Sequence, residues 1–209
     1  MRSWASVQWQ PVDEWDGGCG WVAEERLQRT SHALRLDGGV WLIDPVDGEG
    51  VEEHVRSLGE PAGVLQLLDR HNRDGEALAE RLGVPLHRAW ESSPFPVLRV
   101  RDVRVWREMA LWDAESRTLV CADALGTLEY FRAGRERIGW HPLVRPLPPR
   151  SFAGVEPARI LVGHGPGIFE GAAEALDDLV RHGRGRTPAA FVSAAKAVWA
   201  ASRSRAPGR

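Results

Sequence analysis

The sequence contains one lysine, Lys196, one tyrosine, Tyr130, and only two cysteines, Cys19 and Cys121. Two cysteines supply neither a disulfide framework nor the paired spacing of a zinc ribbon. No apolar run approaches the length of a membrane span. The first ten residues lack a charged start followed by an apolar stretch, so no signal peptide is expected and the chain is read as cytoplasmic. Neither sign of charge dominates: the formal net charge is −2, which implies neither nucleic acid nor a membrane as partner. Gly-x-Ser-x-Gly, a P-loop and a Gly-x-Gly-x-x-Gly after a strand are all missing, leaving serine hydrolase, NTPase and dinucleotide-binding readings without support.

What is present is ordinary for a soluble globular domain, with 43% hydrophobic and 27% charged residues in 209. That length suits one well-buried core, expected over residues 1–201, followed by a small, polar, basic tail at 202–209 that is expected to be disordered. The ten tryptophans follow no fixed period and read as packing residues, although they leave an oligomer open.

The stretch Leu65-Gln66-Leu67-Leu68-Asp69-Arg70-His71-Asn72-Arg73-Asp74-Gly75 organises the chain. A buried strand there delivers a knot of ionisable groups to its end, and a helix over 76–82 follows. Before it, Trp4 to Trp21 reads as short edge strands. His32, Leu34 and Leu36 alternate, Asp37-Gly38-Gly39 turns the chain, and Val40 to Ile43 runs back as the second arm of a hairpin. Asp44-Pro45 ends it as a structural turn, and a short helix is expected over 52–58. In the middle third, 97–101 and 103–105 alternate apolar with basic residues, as half-exposed antiparallel strands do. Two more buried strands end in polar groups: 118–121 runs into Ala122-Asp123, and 159–162 runs into Gly163-His164. Tyr130 to Pro149 reads as an irregular lid, from which His141 and Arg145 could overhang a site. Helices over about 171–182 and 189–200 close the pattern, the second carrying Phe191, Val192, Ala195, Val198 and Trp199.

Ile43-Asp44-Pro45, the knot at 69–74, Asp123 and His164 occur in the order found in metallo-β-lactamase-like proteins. From about Thr30 to His182 the chain resembles that superfamily. The resemblance implies an α/β fold, a four-layer αββα sandwich, with metal at one edge. It also implies a metal-dependent hydrolase of a small-molecule ester, lactone or phosphoester. The superfamily motif His-x-His-x-Asp-His reads Asp69-Arg70-His71-Asn72-Arg73-Asp74 here, so only His71 stands unchanged. The histidine that family members carry before the strand at 109–112 is missing, and Glu108 lies there instead.

The resemblance makes His164, Asp123, His71, Asp69 and Asp74 the candidate ligands for a divalent ion such as Zn, Mn or Fe, with Arg73 and Glu108 in the pocket. One arrangement places Asp74, Asp123 and His164 at one metal position and Asp69, His71 and Glu108 at another. Taken alone, Asp74 suits a helix N-cap and Glu108 suits a solvated pair with Arg104 or Arg107. Arg73 stands where the family has a ligating Asp. A guanidinium about 5 Å from a divalent ion would oppose it by roughly 7 kcal/mol at an effective dielectric near 20. The alternative is a metal-free, non-catalytic small-molecule-binding or interaction module, in which Arg73 replaces the metal and forks to Asp69, Asp74 or Asp123.

Overall fold

A computed structural model describes residues 7–71 and 73–203; the side chains of 201–203 are left out of the description. The N-terminal half forms β1 (Trp9–Trp15), β2 (Gly18–Ala23), β3 (Thr30–Leu36), β4 (Gly39–Ile43), α1 (Val51–Leu58), β5 (Pro61–Gln66), α2 (Gly75–Leu82) and β6 (Leu86–Arg88). Its six strands make one sheet in the order β1-β2-β3-β4-β5-β6, antiparallel up to β4 and parallel from β4 to β6. The β3–β4 turn is as the sequence dictates: Asp37 and Gly38 both take positive φ, 49° and 81°, the pair that a two-residue hairpin turn requires. Pairing β4 with β5 in parallel needs a crossover, and α1 provides it.

Strand alternation then assigns the layers. Ala33, Val40, Leu42 and Val64 pack with Val51 and Val55 of α1 and Ala79 of α2, whereas their neighbours Leu34, Ile43 and Leu65 belong to the larger core. That larger core is shared with the C-terminal half: β7 (Val97–Val103), β8 (Trp106–Asp113), β9 (Thr118–Cys121), β10 (Leu125–Gly126), β11 (Gly139–Trp140), β12 (Arg159–Val162), α3 (Ala172–His182) and α4 (Thr187–Arg203). The second sheet has the order β12-β9-β8-β7, and α3 packs on β12 through Leu176 and Leu179. The result is helices, sheet, sheet, helix.

Several local expectations are corrected. β2 is buried along its whole length between β1 and β3, because Cys19 and Trp21 face the helix layer; it is no edge strand. Segments 97–105 and 106–113 form one long hairpin. The C-terminal helix extends to Arg203, so it includes two residues of the expected tail, and 204–209 lie outside the described residues. No helix among the described residues is long and apolar enough to cross a membrane.

The region 130–149 is not a loose lid. Phe131, Ile138, Trp140 and Val144 are buried, and Arg145, expected at a site mouth, is fully buried instead. Its guanidinium donates to both carboxylate oxygens of Glu136 at 3.0 and 2.6 Å and to the carbonyls of Gly183 and Phe131 at 2.9 and 2.7 Å. Breaking a buried pair of this kind strands the surviving charge, so Arg145→Ala is expected to cost about 3–5 kcal/mol in chemical denaturation. A cost under about 1 kcal/mol, the range of a surface pair, would contradict that structural role.

Candidate metal centre

Three strand ends meet at one edge of the two sheets. At the end of β4, Asp44 adopts φ 43°, a left-handed conformation that Asp tolerates better than most residues. Beyond β5 the chain crosses to the second sheet: Met109 N–H donates to Leu67 O and Asp69 N–H donates to Arg107 O, each at 3.0 Å, and this delivers His71. β9 and β12 run parallel with Cys121 opposite Val162, so Asp123 and His164 emerge side by side. Gly163 has a packing reason to lack a side chain. A Cβ there would lie 2.7 Å from Ala122 O and 3.2 Å from an Arg73 nitrogen.

His71 Nε2 lies 2.7 Å and His164 Nε2 3.0 Å from the same oxygen, Asp123 Oδ1, and the three donor atoms fall within 4.8 Å of one another. The opposite ring nitrogens also face acceptors: this places a hydrogen on His164 Nδ1, whereas His71 meets a carboxylate at each nitrogen and can donate from either. His164 Nδ1 is 2.7 Å from the carbonyl of Leu27, which can only accept, so Nδ1 carries the hydrogen. His71 Nδ1 faces Asp44 Oδ2 at 3.2 Å, while Asp44 Oδ1 accepts the Leu67 N–H at 3.0 Å. When both Nδ1 positions donate, two lone pairs and a carboxylate oxygen converge on one point. Such a convergence needs protons or a cation between the groups. The acidities respond accordingly. Burial and Arg73 oppose charge on His71, but Asp44 and the hydrogen bonds to Asp123 and Asp44 outweigh them and raise its pKa. Burial would raise Asp123, yet its bonds to His164 and His71 hold it far below the usual carboxylate range. An imidazole whose far N–H donates to a carboxylate or a backbone carbonyl is also how histidine is held when it binds metal. The donor set fits a divalent ion with three protein ligands.

Other candidates lie elsewhere. Asp74 sits at the N-cap position of α2 without a capping bond; its Oδ2 accepts the Asp47 N–H at 2.9 Å, facing away from the cluster. Asp69 does not join the three donors, and its Oδ1 is buried without a hydrogen-bond partner. Glu108 is fully buried, far from a solvated face. It accepts from Trp106 Nε1 at 2.8 Å, the Ala124 N–H at 3.0 Å and the Cys121 thiol at 3.3 Å, which braces the turn after β9 from beneath. Burial, then Asp123, pushes its pKa up to about 7. Arg73 does not fork to Asp69, Asp74 or Asp123. It donates to the carbonyls of Thr30 at 2.6 Å, Asp44 at 2.9 Å and Gly163 at 3.0 Å, pinning the ends that carry the site. Reading Asp44 as a turn residue captured its backbone and missed its carboxylate. The available signal was an acid at a strand end preceding a lone site histidine.

Asp123 and His164 line a cavity of about 580 Å³, walled by Leu27, Leu128, Phe131 and Val198 with Tyr130 and His141 at one side. His141 Nδ1 accepts the Leu143 N–H at 3.2 Å, which puts its hydrogen on Nε2, 3.5 Å from the Tyr130 hydroxyl. Burial first, aided by Arg70 and His164 and opposed by Asp123, lowers the His141 pKa to about 4. The unfolded chain releases the Glu108 proton near 4.5 and the folded chain near 7, so stability falls as pH rises between them. His141 acts oppositely from about 4 to 6.5, where the unfolded chain binds the extra proton. His71, with a raised pKa, adds stability below about 6.5 that is lost as pH climbs through its folded value. Above about pH 6.5 only the two losses remain. In chelator, the Tm is therefore expected to decline from about pH 6.5 to 8 in thermal unfolding; a rise over that interval would contradict these assignments.

Neither the protein-family models nor the curated proteins yield a match to the sequence. Solved structures do. TMB-1 superposes with a TM-score of 0.55 at 14% identity, over 90% of this chain and 100% of that one. The DIM-1 metallo-β-lactamase gives 0.54 at 11% identity, over 88% and 98%. A metallo-β-lactamase from Pontibacter korlensis gives 0.54 at 11%, over 83% and 99%. With TM-scores of 0.54–0.55 over most of both chains, this chain has the metallo-β-lactamase-like fold.

Proposed function

We propose that the protein is a metal-dependent hydrolase of a small-molecule ester, lactone or phosphoester, with one divalent ion (Zn, Mn or Fe) held by His71, Asp123 and His164. One observation carries this reading: both histidines face an acceptor at Nδ1 and turn Nε2 toward Asp123 Oδ1. Two imidazoles and one carboxylate suit these ions, and three ligands leave a position open. A divalent ion held there supplies Lewis acidity, polarising a carbonyl or phosphoryl oxygen and acidifying water.

The chain's own residues do the rest. Asp44 and the Leu27 carbonyl orient the two rings. Leu27, Leu128, Phe131 and Val198 wall the cavity with apolar surface, which suits the organic part of a substrate and excludes water. His141 stays neutral down to about 4, so its Nε2–H and the Tyr130 hydroxyl offer donors to a substrate oxygen.

Arg73 favours a second reading, a metal-free binding or interaction module, because a buried cation already neutralises part of the acidic site. Stability alone does not separate the two. Removing Arg73 takes three hydrogen bonds from backbone carbonyls in either case, although Gly163 O keeps the Thr30 N–H and Asp44 O keeps the Ser31 hydroxyl, so Arg73→Ala is destabilising in both.

Metal content separates them. Elemental analysis of untagged protein after dialysis against Zn, Mn or Fe is expected to give one equivalent, lost in Asp123→Ala and His164→Ala while circular dichroism is unchanged. No metal in the parent protein sinks the hydrolase and leaves the binding module. Asp44→Asn, which weakens the support of His71, is expected to lower metal affinity roughly 10–100-fold. Unchanged affinity in a competition titration would show that Asp44 serves the backbone alone.

A further inference from the structure

We infer that α4 is a docking helix for an anionic lipid surface and that it presents the mouth of the 580 Å³ cavity to that surface. The helix has two apolar faces where one would do. Ala190 and Ala194 are buried against the domain, and Ala197, on the same side, lines the cavity. Phe191, Val192, Val198 and Trp199 lie on another side and are 48–58% exposed. At helical spacing, with Ala195 between them, they form a stripe about 120° wide.

Charge identifies what covers it. Lys196 borders the stripe at helical spacing, where a long basic side chain can reach lipid headgroups while the apolar face enters the interface. From Arg184 to the last residue the sequence has no Asp or Glu. The whole-chain charge of −2, which implied no membrane, averages this segment with an acidic remainder. A second copy meeting stripe to stripe would bring like charges together with no acidic partner on α4, which disfavours a symmetric dimer. The stripe also runs to the site: Val198 lines the cavity together with exposed Leu27 and with Arg26. On lipid, the cavity would open toward the interface and draw substrate from there.

Flotation of the full chain with vesicles tests this, and its outcome is independent of whether the centre binds metal. Binding is expected to phosphatidylcholine vesicles containing phosphatidylglycerol, and not to phosphatidylcholine alone. Phe191→Glu is expected to abolish it. Lys196→Glu removes one positive charge and adds a negative one, which amounts to roughly a thirtyfold loss near such a surface. Both positions are exposed, so unchanged circular dichroism serves as the folding control. Two results overturn the proposal: no flotation with anionic vesicles at low ionic strength, or flotation untouched by both substitutions. A dimer in light scattering that Phe191→Glu dissociates, without flotation, also overturns it and assigns the stripe to a second copy.

Discussion

The carboxylate of Asp44 is where fold and site depend on each other. One oxygen takes the N–H of Leu67, holding the chain as it leaves β5 for the second sheet. The other faces His71. Its own carbonyl accepts from Arg73. A left-handed residue at the end of β4 thus sets the path of the knot that follows β5 and the orientation of the ring that the knot carries. If the carboxylate is lost, a buried N–H and a site histidine lose their partner together, so stability and ring orientation cannot be tuned independently there.

Arg73 complements this from behind. Its three carbonyl acceptors belong to β3, the end of β4 and the end of β12, so one cation gathers backbone from both sheets. Carbonyl dipoles rather than carboxylates receive it, which leaves Asp123 to the two histidines. Arg73 thus touches none of the three donor atoms, and its charge still opposes a cation placed among them. The charge is buried beside the centre, three of its hydrogens go to scaffold carbonyls, its Nε has no partner among the described residues, and its effect on the site is electrostatic. It lowers the tendency of His71 to take a proton and so favours the neutral imidazole that a metal needs.

Much of the fold was legible because its signals are local. The β3–β4 hairpin was written in Asp37-Gly38, and the three buried strands in short apolar runs that end in polar groups. The candidate site was legible only in part. His71, Asp123 and His164 could be named because the resemblance singles out the ends of such strands, and parallel pairing of β9 with β12 brings the last two together. Asp69 and Asp74 have the same local signature and go elsewhere, because which way a side chain points at a strand end depends on the next two or three backbone angles. Glu108 shows the limit most clearly. Basic neighbours suggested solvent, yet strand alternation turns it inward, onto the Ala124 N–H.

The residues at 69–74 divide between the scaffold and the histidine cluster. Where the resembled pattern has two further histidines and an Asp, this chain has Asp69, Asp74 and Arg73, and two of these serve the scaffold: Arg73 staples backbone and Asp74 secures the loop at Asp47. What is retained is a histidine held by a carboxylate, a histidine held by a carbonyl, and one acid between them. Holding both imidazoles with Nε2 toward a carboxylate requires two separate hydrogen-bonding partners, Asp44 and Leu27, from distant parts of the chain. A purely structural histidine gains as much from one bond in either tautomer. Two rings aimed at a single oxygen, beside an apolar cavity with neutral donors on its wall, form a cluster that could hold a cation.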